Sequence, residues 1–299
     1  MVYDLIVIGL GPAGISACIY AKRSGLNILA FEKRAPGGLI NTTNLVENYP
    51  GYSKIDGPSL AFNMFKHLKD LEVPIKMEEV VKIEKNDNIV ITTKNNSYET
   101  KTLIIGTGRS PRKPDIEDFN KFEGKGISYC AICDASLYKN KDVCVLGSGD
   151  SAFEETLYLS KLCKSVTIVS RSNEIKASDH LQDEVALLKN VKILKNTNIK
   201  KLFGENKLEG AILTNEEILN FDALFIYIGF VPISSLFKDV NLKMDKNYIL
   251  VNNKCETSIP GIFACGDIIK KDLYQIVTAT SEGAIAASSV LNYINENVK

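Results

Sequence analysis

Histidine is nearly missing from this 299-residue chain: His67 and His180 are the only two. Cys18, Cys144, Cys163, Cys255 and Cys265 stand singly, so no second closely spaced ligand pair joins Cys130 and Cys133 in a zinc site, and no metal is expected. Arginine is scarce as well, at Arg23, Arg34, Arg109, Arg112 and Arg171 among 36 basic residues, which leaves few forked phosphate clamps. Charge of one sign is not in excess: 36 basic residues meet 36 acidic ones. Counted by segment, 13 basic against 11 acidic in 1–111, 18 against 20 in 112–245 and 5 against 5 beyond exclude the positive bias of a nucleic-acid binder. No run is long and apolar enough to span a bilayer. Met1-Val2-Tyr3-Asp4 leads straight into a strand-like run, so no signal peptide is expected. Seven cysteines, an odd number without a regular framework, point to a reducing cytoplasm.

What is present centres on Tyr129-Cys130-Ala131-Ile132-Cys133-Asp134. Cysteines three apart can lie one turn above each other and close a disulfide without backbone movement. Such a pair can be cycled, and Asp134 places a proton donor beside the thiolate.

A dinucleotide-binding pattern precedes the pair. Asp4-Leu5-Ile6-Val7-Ile8 reads as a strand buried on both faces. It enters Gly9-Leu10-Gly11-Pro12-Ala13-Gly14, then a helix to Arg23 and a strand from Asn27 to Phe31 that ends at Glu32. The first glycine makes a tight turn, the second lets backbone approach pyrophosphate, and the third lets helix pack on strand. Glu32 can accept from a ribose hydroxyl. Leu60–Leu71 reads as an amphipathic helix, Val80–Ile83 and Ile89–Thr92 as paired strands, and Leu103-Ile104-Ile105 as a buried strand leading to Gly106-Thr107-Gly108.

A second pattern follows the pair. Strand Asp142–Leu146, turn Gly147-Ser148-Gly149-Asp150-Ser151-Ala152, a helix to Leu162 and strand Ser165–Val169 repeat the first unit. Gly9 to Glu32 and Gly147 to Ser170 are both 23 residues apart. The expected fold is therefore α/β, two nested Rossmann-like dinucleotide-binding domains with the second inserted in the first. Pro111–Pro114 reads as a linker, which gives one discontinuous domain at 1–111 and 246–299 and an inserted domain at 112–245. After the return, Gly261–Asp267 reads as a strand ending in Gly-Asp, and Gln275–Leu291 as a helix of small residues.

GLGPAG, GGLI, VENYPG, GTG, SYCAICDA, GSGDSA, IPGIFACGD and the Gln275 helix together resemble the low-molecular-weight bacterial thioredoxin reductases over essentially the whole chain. The resemblance implies a homodimeric flavoprotein with FAD in the discontinuous domain. Cys130 would attack the disulfide of thioredoxin, Cys133 would face the flavin and Asp134 would handle the proton. The implied FAD contacts are Gly9, Gly11, Pro12, Ala13 and Gly14; Glu32 and Lys33; Gly37, Gly38 and Leu39; Asn48; Val80, against the adenine; Thr107 and Gly108; Gly266 and Asp267; and Gln275 and Ile276.

The departures concern the electron donor. The family's GGQ reads Gly37-Gly38-Leu39, its GGGxxA turn reads GSGDSA, its histidine-arginine-arginine run reads Ser170-Arg171-Ser172 with Lys176 further on, and its Arg-Gln pair reads Tyr274-Gln275. With these departures the chain most resembles the ferredoxin-dependent flavin thioredoxin reductases, a branch with eroded NADPH motifs, and the resemblance implies ferredoxin as the donor. The alternative is NADPH held by Arg171 and Lys176 in a weakened pocket. A flavin-binding redox sensor and a peroxiredoxin-reducing flavoenzyme are less well matched by an intact CAICD and the lack of an extra N-terminal redox domain.

Overall fold

The computed structural model describes residues 1–43 and 45–297. They form two compact units, Met1–Ser110 with Val231–Lys299, and Pro111–Phe230.

In the first unit the strand Val2–Ile8 is central because it is apolar at every inner position. Leu5 and Val7 enter one core while Ile6 and Ile8 enter the other, the period-two alternation of a strand covered on both faces. Burying each such side chain fully stabilises by about 1.5–3 kcal/mol. The sheet runs Ile75–Lys76, Ile28–Phe31, Val2–Ile8, Ser97–Ile105, Ile89–Thr93, Val80–Lys85, with Ile262–Ala264 also along Ser97–Ile105. Val2–Ile8 pairs in parallel with both neighbours, and the two outer strands at Val80 and Ile89 pair as expected, in antiparallel register. On one face the helices Pro12–Arg23 and Ile276–Asn297 pack through small residues. A Cβ on Gly283 would meet the Ala13 carbonyl oxygen at 2.1 Å, so glycine there sets how closely the helices approach.

The second unit carries a parallel sheet in the order Val191–Leu194, Ser165–Val169, Asp142–Leu146, Ala223–Ile226, Ile127–Ser128. The helices Asp150–Leu159 and Asp179–Ala186 follow the two central strand ends. A three-stranded antiparallel sheet is formed by Ile199–Phe203, Gly210–Leu213 and Ile218–Asn220.

Three expected boundaries shift. The chain returns to the first unit at Val231, not at 246, because Phe237, Val240 and Leu242 bury themselves with Val80 and Ile83. That stretch is a 3-10 turn at Ser235–Val240, whose short period carries no helical signature. The helix expected to reach Leu162 ends at Leu159, where the amides of Leu162 and Cys163 fold back onto the Leu159 carbonyl. The last helix continues past Leu291 to Asn297. Among the described residues no helix is long and apolar enough to cross a membrane.

Candidate functional site

The first unit builds a cradle around its glycine turn. A Cβ on Gly9 (φ +93°) would lie 2.4 Å from the Gly106 carbonyl oxygen, and one on Gly14 would lie 1.8 Å from that of Gly9. These two glycines therefore let the turn close. Gly11 differs: a Cβ there meets nothing within 4 Å. It precedes Pro12, the first residue of the helix, and no side chain caps that helix end. Amides of the first turn thus face open space, the arrangement that binds phosphate. Gly38 is brought alongside, since its Cβ would lie 3.3 Å from Gly11 Cα, and the Gly37 amide donates to the Leu10 carbonyl at 2.7 Å.

Glu32 stands at the end of the second strand, its Oε2 accepting the Leu10 amide and its Oε1 the Arg34 amide, both at 2.8 Å. A carboxylate has about four lone-pair sites, so acceptors remain for two hydroxyls. Lys33 is exposed and paired with Glu79 at 3.6 Å, while Val80 is buried in the sheet's second core. Leu39 opens its carbonyl to the hydroxyls of Thr42 and Thr43. The Thr107 hydroxyl donates to the Ile233 carbonyl, whose own residue's amide donates back to Gly108. Asn48 and Gln275, far apart in sequence, meet at 3.2 Å. Ile276 opens the last helix and packs on Ile40, Val46 and Leu60. Gly266 takes φ +77°, with a Cβ there 2.7 Å from that of Ala13.

Asp267 sits in a network that the sequence did not announce. Arg109 Nε and Nη2 both reach Asp267 Oδ2, at 3.1 and 2.8 Å, and its guanidinium stacks 4.1 Å over the Tyr274 ring. Lys271 lies 3.6 Å from Asp267 Oδ1 and 2.8 Å from Glu282 Oε2, which also accepts the Gly266 amide. Burial pushes the Glu282 carboxyl up, opposed by Lys271 and the Gly266 amide. The open Gly11, the uncapped helix end and the unfilled Glu32 acceptors fit a dinucleotide with its pyrophosphate on the helix and its ribose on the carboxylate.

In the second unit Cys130 and Cys133 are joined as a disulfide with Cα atoms 5.4 Å apart. Cys130 caps the short helix Ala131–Asp134, its Sγ accepting the Cys133 amide at 3.2 Å. Cys130 is 7% exposed, whereas Cys133 is open to solvent. Asp134 is aimed by Ser128, whose hydroxyl lies 2.7 Å from Asp134 Oδ2 and accepts the Cys130 amide at 3.0 Å. Tyr227 Oη accepts the Ala131 amide at 3.0 Å. Ser128 lay within the SYCAICDA motif but carried no assigned role, and Tyr227 gave no signal beyond being an aromatic after a strand.

The second glycine turn repeats the first. Gly147 closes against the Tyr227 carbonyl oxygen, 2.3 Å from a Cβ there, while Gly149 looks into open space. The Ser148 carbonyl accepts the amides of Lys176 and Ala177 at 2.8 and 2.9 Å. Ser170 is 2% exposed and turns its hydroxyl onto the Ser172 carbonyl. Arg171 and Lys176 are exposed, and no ion pair to either is found among the described residues.

The pyridine nucleotide-disulphide oxidoreductase family matches residues 3–283. Thioredoxin reductase of Ureaplasma parvum is 43% identical over 310 residues, with 99% of this chain and 98% of that protein covered. The chain belongs to the low-molecular-weight thioredoxin reductase family. Its fold agrees with that of Lactococcus lactis thioredoxin reductase in the FR conformation, with a TM-score of 0.92 at 35% identity over 98% of this chain and 99% of that one. A ferredoxin-flavin thioredoxin reductase from Clostridium acetobutylicum is similar at 29% identity and a TM-score of 0.57, over 99% and 98% of the two chains. This family member is a flavoprotein disulfide oxidoreductase, and FAD is its cofactor.

Proposed function

We propose that the protein reduces thioredoxin with NADPH: NADPH + H⁺ + thioredoxin disulfide gives NADP⁺ + thioredoxin dithiol. The observation that carries the donor is the pair Arg171 and Lys176, two exposed cations without an acidic partner among the described residues. Lys176 is tied by its amide to the second glycine turn. A 2′-phosphate carries about two negative charges and would neutralise both. The match to a pyridine nucleotide family supports the same reading. NADH lacks a site for its free ribose hydroxyls, because Ser170 is buried and its hydroxyl is already engaged. Ferredoxin, the donor expected from the sequence, is the second reading. The single arginine favours it, as does the likeness to the Clostridium acetobutylicum enzyme. The homodimer implied by the resemblance is part of the proposal, tested by the mass in solution.

When bound, FAD supplies the two-electron relay between donor and disulfide. As the Cys130–Cys133 bond breaks, one sulfur takes a proton and the other stays a thiolate. Ser128 holds Asp134 as the group that handles that proton. The Cys133 amide stabilises charge on Cys130 Sγ. Exposure supports the reverse of the expected thiol order: Cys133 attacks thioredoxin, and Cys130 then attacks Cys133 Sγ and releases the thioredoxin dithiol.

Coupled assays test the whole: one NADPH should be consumed per thioredoxin disulfide reduced. No consumption would discard the donor assignment. Cys130→Ser should trap thioredoxin as a mixed disulfide through Cys133, seen by mass without reductant. Trapping only in Cys133→Ser would restore Cys130 as the attacking thiol.

A further inference from the structure

Arg109, Asp267, Lys271 and Tyr274 close a ring of contacts within the first unit. Arg109 Nε and Nη2 donate to Asp267 Oδ2 at 3.1 and 2.8 Å, and Lys271 Nζ lies 3.6 Å from Asp267 Oδ1. The Tyr274 ring completes it, its centroid 4.1 Å from the Arg109 guanidinium carbon and 5.5 Å from Lys271 Nζ. Both cations are thus shared between one carboxylate and one aromatic ring, whose quadrupole attracts positive charge. The Arg109 and Asp267 side chains are 17% and 21% exposed, so salt and water screen this pair less than an open surface bridge.

The ring of contacts stands at one end of the cofactor cradle, and the sheet fixes which end. Arg109 directly follows Gly108, Asp267 follows Gly266, and Tyr274 precedes Gln275. The strand Val2–Ile8 has Ile28–Phe31 on one side and Ser97–Ile105 on the other, and Ile262–Ala264 lies beyond Ser97–Ile105. All four run in parallel, so Glu32 and Asp267 follow strand ends at the same edge of the sheet, on opposite sides of the glycine turn. A dinucleotide with its adenosine ribose on Glu32 and its pyrophosphate at Gly11 therefore leads its flavin half toward Asp267.

The sequence supplies a second observation. Where the related reductases have arginine before this glutamine, the chain has Tyr274, which is neutral at pH 7. The guanidinium stacked on that tyrosine comes from Arg109, on the short strand Arg109–Pro111.

We propose that Arg109 is a positioning residue for FAD: gripped by Tyr274, it aims the Asp267 carboxylate at the flavin half and fixes there the positive charge that the related reductases carry one residue before Gln275. The proposal rests on FAD as the cofactor and is independent of the electron donor.

Two effects follow from the contacts. Arg109 pins Oδ2 of Asp267 by two hydrogen bonds, while Oδ1, held only at 3.6 Å by Lys271, keeps lone pairs for a ligand hydroxyl. A carboxylate fixed in this way binds without first losing its own rotational freedom. The cation also attracts the negative charge that the flavin gains on reduction, which raises its potential.

The test uses the FAD-loaded protein. Flavin release on dilution is read by fluorescence, and the midpoint potential of the bound flavin is read against a reference dye without oxygen. Arg109→Ala should release FAD about three- to tenfold more readily, the loss of one charge-assisted contact at its lower end. Its potential should move to more negative values. Arg109→Lys keeps the charge without the fork, so it should weaken retention less and leave the potential near that of the wild type. Arg109→Ala combined with Tyr274→Arg puts a guanidinium back from the other side of the stack and should recover both. Wild-type retention and potential in Arg109→Ala would overturn the proposal. Weaker retention with an unmoved potential and no recovery in the double variant would also overturn it, because Arg109 would then only brace the loops. If Arg109→Ala does not fold, Arg109→Lys and Tyr274→Leu decide: wild-type FAD retention in both would overturn the proposal.

Discussion

Asn48 Nδ2 donates to Gln275 Oε1 across 3.2 Å, tying the loop after the GGLI turn to the residue just before the last helix. Both side chains are exposed, so the bond orders two segments that water would otherwise loosen. A neutral hydrogen bond contributes about 0.5–1.5 kcal/mol, or roughly two- to tenfold in an equilibrium. Asn48→Ala should weaken FAD rebinding to apo protein by up to that factor, measured by flavin fluorescence. An unaltered affinity would separate this pair from the cofactor.

Two of the fingerprint glycines should respond differently. Gly11 has free space around its missing Cβ, so Gly11→Val should fold normally and emerge almost without flavin. Gly14 has the Gly9 carbonyl oxygen 1.8 Å from its missing Cβ, so Gly14→Ala should lower the melting temperature whether or not FAD is present. Absorbance at the flavin band, together with thermal melts of apo and holo protein, distinguishes the two. A full flavin complement in Gly11→Val would contradict the cradle.

Glu155 predicts a stability that depends on pH. Its carboxyl moves from 4.5 in the unfolded chain to about 7 when folded. The folded state thus binds the extra proton between those values. Its penalty is absent below 4.5, grows as pH rises through the window and is complete above 7. At about 1.36 kcal/mol per pKa unit the penalty is on the order of 3 kcal/mol. Glu155→Gln should therefore gain stability over the wild type between pH 5 and pH 8 in urea melts. A constant difference across that range would mean that the carboxyl is not held neutral.

Legibility followed the range of the signal. Gly9, Gly11 and Gly14 act within one turn, and their spacing announced tight turn, open face and close packing before any contact was seen. The strand Asp142–Leu146 was likewise legible, as the repeat of the first unit's strand before a glycine turn. Arg109 was illegible because its partner Asp267 is 158 residues away and no periodicity joins them. Tyr227 acts on Ala131 from 96 residues away for the same reason. Val231–Val240 was assigned to the wrong unit because Phe237 and Val240 are buried from a 3-10 turn, which lacks the 3.6-residue stripe of a helix.

Arg171 and Lys176 should act together on NADPH. A charge-assisted contact is worth about 1.5–3 kcal/mol, so losing one corresponds to roughly tenfold or more in affinity. Arg171→Ala with Lys176→Ala should raise the NADPH concentration needed for half-maximal flavin reduction by at least that factor. The rate at which the dithiol then reduces thioredoxin should not change. Equal requirements in variant and wild type would remove both residues from the nucleotide site.

Anaerobic stopped-flow mixing of the FAD-loaded protein with NADPH, NADH or reduced ferredoxin tests the electron donor most directly. Micromolar NADPH should bleach the flavin absorbance within the turnover time, and NADH should do so far more slowly. Rapid bleaching by reduced ferredoxin, with none by NADPH, would contradict the account.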